Sequence, residues 1–212
     1  MSGLPVQLIL LGPPGAGKGT QAVRLARRLG LAPINPGRIL REAAVGESRT
    51  SREIRERMAA GQLVEDQLVD RLVRERLEAL SPGQGFILDG YPRTAGEARS
   101  LQTTLAGLHR LRQPLLVVWL QASADVLVRR LRHRATDEHR PDDSERAIGH
   151  RLEVHRDNAH ALRDALAGWT DVIEVDADQP PDAITGEIVR ALSRHAAAWT
   201  SPRASGLFRS DR

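Results

Sequence analysis

A glycine-rich segment near the N-terminus constrains the fold of this chain more than any other feature. It runs from Gly12 to Thr20 with the sequence GPPGAGKGT, and it follows the apolar run Val6–Leu11 and precedes the amphipathic pattern QAVRLARRLG. Glycines let several backbone N–H groups of such a loop point at one anion, and the dipole of a following helix strengthens the attraction. The segment therefore predicts a strand, a phosphate-binding loop and a helix, in that order.

Lys18 lies inside this segment and is the only lysine of the chain, since every other basic side chain is an arginine. A compact ammonium group reaches the β- and γ-phosphates within such a loop, whereas a planar guanidinium group is wider and more rigid. This difference explains why lysine occurs here and nowhere else. A glycine-rich turn with a solvated lysine is the alternative interpretation, and a dinucleotide-binding loop fits less well because its third glycine is missing.

Five short apolar runs predict β-strands at Val6–Leu11, Ala32–Ile34, Gly85–Leu88, Leu115–Leu120 and Val172–Val175. Apolar residues recur with helical spacing between them, for example over Gln67–Leu80 and Ala183–Leu192. Strands that alternate with helices are typical of an α/β fold. We therefore expect a five-stranded parallel sheet with helices on both faces.

The composition excludes several classes of protein. The chain of 212 residues has no cysteine, which excludes disulfides and thiolate metal sites. Its net charge is +4, but the arginines are dispersed and aromatic residues make up only 3%, so no nucleic-acid partner is expected. No apolar run approaches the ~18 residues of a membrane span, and no signal peptide is recognised. We expect a cytoplasmic monomer without a membrane partner, and with small, highly anionic ligands.

Gly19 separates the lysine from Thr20, whereas the general phosphate loop has serine or threonine directly after the lysine. This GKGT form resembles the adenylate kinases and related nucleoside monophosphate kinases, and GFILDGYPRT at Gly85–Thr94 resembles their second motif. The resemblance extends to about Leu192 and implies the phosphate-loop nucleoside monophosphate kinase architecture. It also implies reversible transfer of the terminal phosphate of ATP to a nucleoside monophosphate, with AMP favoured.

The resemblance implies a set of site residues. The ATP-binding residues would be Gly15, Ala16, Gly17, Lys18, Gly19, Thr20, Arg130, Arg134 and Gln179. The monophosphate-binding residues would be Pro36, Arg41, Gln62, Leu63, Val64, Gly90, Arg93, Glu97, Arg140 and Arg151. The catalytic residues would be Lys18, Arg93, Arg130, Arg134, Arg140 and Arg151. Asp89 would hold Mg²⁺ through water, and Asp142 and Asp143 would brace the lid.

Two of these assignments also have support from physical chemistry. Asp89 ends an apolar strand beside the phosphate loop, where a buried carboxylate needs a cation. The alternative interpretation is that its side chain caps the turn that follows the strand. Arg130 and Arg134 are four residues apart on a predicted helix, so their charges repel unless they share an anion. A solvated basic face of the helix is the alternative there.

The expected organisation is a single kinase domain over residues 1–198. A monophosphate-binding insertion would span residues 36–66, and a short lid without zinc would span residues 134–140. Residues 199–212 are polar and aperiodic, which predicts a disordered tail. The seven histidines are interpreted as surface residues.

The residues expected to bind the acceptor depart from the family pattern at two places. Adenylate kinases usually have Thr-Gly-Asp where this chain has Pro36, Gly37 and Arg38, and they usually have glutamine at the position of Glu97. An ionised Glu97 only accepts hydrogen bonds, which suits the two adjacent donors of guanine better than adenine. Alternatively, Glu97 pairs with Arg38 or another arginine, or is protonated. AMP remains favoured, and the alternatives are a kinase for GMP or a modified nucleotide, a kinase for a non-nucleotide substrate, and a non-catalytic nucleotide-binding regulator.

The short lid yields a kinetic prediction. Five residues separate Arg134 from Arg140. Replacing either arginine with alanine should lower kcat more than it weakens ATP binding, because their contacts tighten when the lid closes. Steady-state kinetics with ATP as the varied substrate measure both effects. A raised KM for ATP with unchanged kcat would contradict this role.

Overall fold

The computed structural model describes residues 6–60, 62, 64–138 and 144–200. The strands are β1 (Gln7–Leu11), β2 (Ala32–Ile34), β3 (Phe86–Asp89), β4 (Leu115–Gln121) and β5 (Asp171–Asp176). The helices in this part of the chain are α1 (Lys18–Leu29), α2 (Pro36–Ala43), α3 (Arg49–Ala59), α4 (Asp66–Glu78), α5 (Ala95–Gly107), α6 (Ala124–Glu138), α7 (Glu145–Ala167) and α8 (Pro181–Thr200).

The five strands form one sheet in the order β2-β3-β1-β4-β5, and all neighbouring strands are parallel. The predicted α/β fold is thus confirmed. β1 lies at the centre, where Leu10 is in register with Asp89 of β3 and with Val118 of β4. The carboxyl ends of parallel strands lie at one edge of the sheet, so the segments that follow β1 and β3 are neighbours in space.

Successive side chains of the strands alternate between two hydrophobic cores, because side chains of a strand point to opposite faces. Leu8 and Leu10 of β1 contribute to the core that α1 and α8 cover, together with Leu127 of α6. Ile9 and Leu11 contribute to the other core, which contains buried residues of α2–α5 and α7. The sheet is therefore buried on both faces, as the uninterrupted apolar runs predict.

Predicted and observed boundaries differ by a few residues. β3 begins and ends one residue later than predicted, because Asp89 continues the parallel pairing despite its charge. β5 includes the polar residues Asp171 and Asp176, which pair with β4 at the edge of the sheet. Such ends carry no apolar signal, so the sequence pattern misses them.

The predicted insertion at residues 36–66 contains α2 and α3 and ends where α4 begins. Arg134 lies in α6, but the rest of the predicted lid from residue 139 onward, with Arg140, Asp142 and Asp143, lies outside the described residues. α8 continues through Thr200, two residues into the predicted tail, and residues 201–212 are not described. Within the described ranges, no helix is both long and apolar enough to cross a membrane.

Substitution of two glycines far from the glycine-rich loop is expected to have opposite effects on the stability of the protein. A Cβ at Gly85 would lie 2.4 Å from the carbonyl oxygen of Val6 and 2.7 Å from Leu31, whereas a Cβ at Gly149 inside α7 meets nothing within 4 Å. Gly85→Ala should destabilise the protein by about 1–3 kcal/mol through overpacking. Gly149→Ala should stabilise it by about 0.5–1 kcal/mol through helix propensity. Urea unfolding followed by circular dichroism measures both, and equal free energies of unfolding for the two variants would contradict this packing.

Candidate active site

The loop between β1 and α1 turns sharply against the central strands. Gly12 has φ +132°, and a Cβ there would lie 2.3 Å from the carbonyl oxygen of Leu120, so only glycine fits. Gly17 has φ +88° and directly precedes the first residue of α1. The chain therefore passes from β1 into α1 through a tight loop, and the first N–H groups of α1 have no partner within the helix, as in anion-binding helix starts.

Lys18 is the first residue of α1, and its side chain folds back over the loop. Its Nζ donates hydrogen bonds of 2.8 Å to the carbonyl oxygens of Gly12 and Pro13. Burial lowers the pKa of Lys18 to about 8; Asp89 opposes this shift, and the arginines nearby add to it. The ammonium group is thus held at the centre of the loop, in an environment that favours an anionic ligand.

Asp89 ends β3 beside this lysine and is only 8% exposed. Its Oδ2 accepts a hydrogen bond from Nδ2 of Asn35, and a Cβ at Gly19 would lie 3.4 Å from the same oxygen. The residue after the lysine therefore packs against this carboxylate, and glycine there leaves the most room beside it. The Lys18 side chain also lies close to Gly90, the residue after Asp89, because a Cβ built at Gly90 would be 3.3 Å from Cε of Lys18.

Two arginines converge at the start of α2. A Cβ at Gly37 would lie 3.6 Å from Nη1 of Arg41 and 3.7 Å from Nη2 of Arg93, so both guanidinium groups approach the same point. Arg93 is oriented by a 2.9 Å hydrogen bond from its Nε to the carbonyl of Gly90. Asn35 caps α2, since its Oδ1 accepts a 2.7 Å hydrogen bond from the backbone of Arg38. Converging arginines of this kind form a site for a phosphate or carboxylate group.

The phosphate loop and this arginine pair line one cleft of about 810 Å³. Three predicted donor-side arginines line the same cleft, namely Arg130, Arg134 and Arg151. Nη1 of Arg130 lies 4.0 Å from a Cβ built at Gly17, so this side chain reaches the loop. The cleft thus contains two cationic regions, one at the loop and one at the start of α2.

Most of the predicted site residues that are described lie in this cleft. Those that line it are Gly15, Ala16, Gly17, Lys18, Gly19, Thr20, Pro36, Arg41, Gln62, Val64, Asp89, Gly90, Arg93, Glu97, Arg130, Arg134 and Arg151. Gln179 is not among the lining residues; its Nε2 donates to the carbonyl of Asp176 and to Glu187, next to Pro181, which does line the cleft. Leu63, Arg140, Asp142 and Asp143 lie outside the described residues.

Two residues of the site have no predicted role in the sequence interpretation. Asn35 contacts Asp89, and its Asn-Pro step is a recognisable start of a helix, which offered a signal. His155 lines the cleft and packs on Trp119 with ring centroids 5.7 Å apart, so the interpretation of every histidine as a surface residue is wrong. Its position four residues after Arg151 was the available signal.

The environment of His155 favours the neutral imidazole. Burial, together with the charges of Lys18, Arg163 and Arg93, lowers its pKa to about 4. Arg163 stacks over the Trp119 ring at 4.3 Å from its centroid. His155 therefore adds no charge to the cleft near neutral pH.

A parallel α/β sheet with a lysine-bearing phosphate loop, a pair of arginines in the same cleft and a carboxylate at the end of the neighbouring strand defines a phosphate-loop phosphotransferase. Comparison with known proteins identifies the family. The adenylate kinase family model matches residues 10–167. The adenylate kinase of Stenotrophomonas maltophilia strain R551-3 is 38% identical over 188 residues, which cover 88% of this chain and 99% of the relative.

Two further relatives agree. The adenylate kinase of Brucella anthropi is 37% identical over 193 residues, covering 88% of this chain and 98% of the relative. That of Pseudarthrobacter chlorophenolicus is 37% identical over 194 residues, covering 91% of this chain and 99% of the relative. The chain belongs to the adenylate kinase family and is a nucleoside monophosphate kinase.

The enclosed position of Lys18 predicts that arginine does not replace it. Lys18→Arg should lower kcat by about 10²–10³-fold, because the wider guanidinium group does not fit between the loop carbonyls and Gly90. Arg28→Lys is the matched control, since Arg28 is exposed on the same helix, and it should leave kcat unchanged. Equal thermal unfolding of both variants would show that the fold is intact. Turnover of Lys18→Arg near the parent rate would contradict the assignment.

Proposed function

We propose that this chain transfers the terminal phosphate of ATP reversibly to AMP, so that ATP and AMP form two ADP. The observation that carries the proposal is the convergence of Arg41 and Arg93 at Gly37, in the same cleft as Lys18. Two cationic regions in one cleft suit two phosphorylated ligands that meet end to end. The names of the relatives favour AMP as the acceptor.

Lys18 and the loop amides bind the donor phosphates in this proposal, and the arginine pair binds the acceptor phosphate. Charge spreads over the transferred phosphoryl group in the transition state, so catalysis consists of positioning and electrostatic stabilisation. Lys18, Arg93, Arg130, Arg134 and Arg151 supply this positive charge, together with Arg140. No general base is required, because the attacking atom is already an anionic phosphate oxygen.

Mg²⁺ fits the carboxylate between the two regions. Among the described residues no three acidic or histidine side chains form a metal cluster, but Mg²⁺ at such sites is held by one or two carboxylates plus substrate phosphates. Asp89 lines the cleft and would hold the ion through water. Bound there, Mg²⁺ supplies neutralising charge to the donor phosphates.

Water competes with the acceptor phosphate, so the cleft must exclude it before transfer. We propose that the insertion at residues 36–66 and the short lid at 134–140 close over the nucleotides, and that Asp142 and Asp143 brace the lid arginines. Gln179 would contact ATP from the turn just before α8. Because both nucleotide sites belong to one chain, we also propose a monomer, acting in the cytoplasm where both nucleotides occur.

The acceptor base would lie along Pro36, Gln62, Leu63 and Val64, with Glu97 beside it. The pairing of Glu97 with Arg38 finds no support, because Arg38 pairs with Glu42 at 3.6 Å. Glu97 instead accepts a hydrogen bond from the backbone N–H of Arg93. A carboxyl group in this position favours GMP as a second candidate acceptor, since guanine offers two adjacent donors to a carboxylate.

Product chromatography with ATP, Mg²⁺ and a panel of monophosphates tests the reaction, and ADP formation that requires AMP or GMP is expected. Arg41→Ala should raise KM for the accepted monophosphate about ten- to a hundredfold, because a charge-assisted hydrogen bond is lost. KM for ATP should change less than twofold. Arg52→Ala, at an exposed position of α3, is the control. Binding of nucleotides without any transfer would support a regulator and overturn the proposal.

A further inference from the structure

A buried carboxyl group lies on the acceptor side of the cleft. Glu97 is in the first turn of α5, is only 2% exposed and lines the cleft. Apolar residues that line the same cleft include Leu40, Met58, Val64 and Val69. Carboxyl groups in apolar surroundings favour the neutral acid, because burial penalises the charged form.

Other acidic groups surround this carboxyl. Asp66 and Asp70 lie one turn apart on α4, which packs against α5. Both accept hydrogen bonds from neutral hydroxyl groups, Asp66 from Thr94 at 3.0 Å and Asp70 from Tyr91 at 2.6 Å. Neither forms an ion pair with a basic side chain among the described residues. Two negative charges beside Glu97 therefore disfavour a third.

Positively charged groups near Glu97 oppose this preference for the neutral acid only in part. Arg93 donates its backbone N–H to Oε2 of Glu97, but its Nε donates to the carbonyl of Gly90. The remaining charged or titratable groups that line the cleft are Lys18 on α1, Arg38 and Arg41 on α2, Asp89 at the end of β3, Arg130, His133 and Arg134 on α6, and Arg151 and His155 on α7. Burial, together with Asp66 and Asp70, raises the pKa of Glu97 to about 7 against the opposing contribution of Arg93.

The protonation state changes what this group offers to a base. A neutral acid presents one O–H donor and one carbonyl acceptor, whereas a carboxylate only accepts. The Watson–Crick edge of adenine offers an amine donor next to a ring acceptor, which matches the acid. The corresponding edge of guanine offers two adjacent donors, which match the carboxylate.

We infer that Glu97 contacts the acceptor base as a neutral acid when the base is adenine and as a carboxylate when it is guanine, so that pH selects the acceptor. The inference rests on the proposed function, because it assumes that the base of a nucleoside monophosphate lies beside Glu97. Acidic conditions favour AMP, and alkaline conditions favour GMP.

The ratio of kcat/KM for AMP to kcat/KM for GMP tests the inference between pH 5.5 and 8.5. Titration of Lys18 and binding of ATP affect both acceptors alike, so they cancel in the ratio. We expect the ratio to fall about ten- to a hundredfold as pH rises, because the carboxylate leaves a ring acceptor of adenine unpaired. The fall should follow one titration near pH 7.

Two variants separate base contact from a structural role. Glu97→Gln keeps one donor and one acceptor at every pH, so its ratio should stay high and flat. Asp70→Asn keeps an acceptor for Tyr91 but removes a charge beside Glu97, so the midpoint of the ratio should move to lower pH. Asp70 is outside the cleft lining, so this shift cannot come from direct contact with the nucleotide.

Proton uptake provides a readout that does not depend on turnover. Calorimetric titrations in two buffers of different ionisation enthalpy should show, at pH 7, more protons taken up on binding AMP than GMP, and no difference for Glu97→Gln. A parent ratio that is flat across this pH range, with transfer to AMP intact, overturns the inference alone. No transfer to either monophosphate at any pH overturns the proposed function.

Discussion

The amide of Gly90 donates a 2.9 Å hydrogen bond to the carbonyl of Leu10, and this bond joins the ends of the two central strands. Because β1 and β3 are parallel and adjacent, the segments after them leave the sheet side by side. The segment after β1 leads into Lys18 at the start of α1, while the segment after Asp89, the last residue of β3, carries Arg93. The distance between Lys18 and Arg93 is therefore governed by the spacing of two strands in a buried sheet, which is the most rigid part of such a fold.

The positive charge gathered at this edge is large compared with the negative charge. Lys18, Arg41, Arg93, Arg130, Arg134 and Arg151 line the cleft, while Asp89 and Glu97 are its acidic residues in the described part of the chain. Like charges held this close destabilise the folded state, and anionic ligands relieve the repulsion. Nucleotides should for this reason raise the thermal stability of the protein as well as occupy its site.

The sequence predicts those parts of the site that depend on local motifs. Lys18, Asp89 and Arg93 belong to segments whose glycines and strand boundaries fix the backbone locally, so short-range patterns were sufficient. His155 and the acidic neighbours of Glu97 depend instead on how α4 and α7 pack against the sheet and α5. Their contacts join residues far apart in the sequence, such as Tyr91 with Asp70. A single chain carries no signal for such pairs, and the polar ends of β3 and β5 were missed because polar residues do not contribute to apolar periodicity.

Asn35 uses its two polar atoms on different parts of the site, since Nδ2 donates to Asp89 and Oδ1 accepts from the first turn of α2. The side chain of Asn35 thus connects the orientation of Asp89 to the start of α2. Replacing this one amide would therefore free the carboxylate of Asp89 and remove the cap of α2 at the same time.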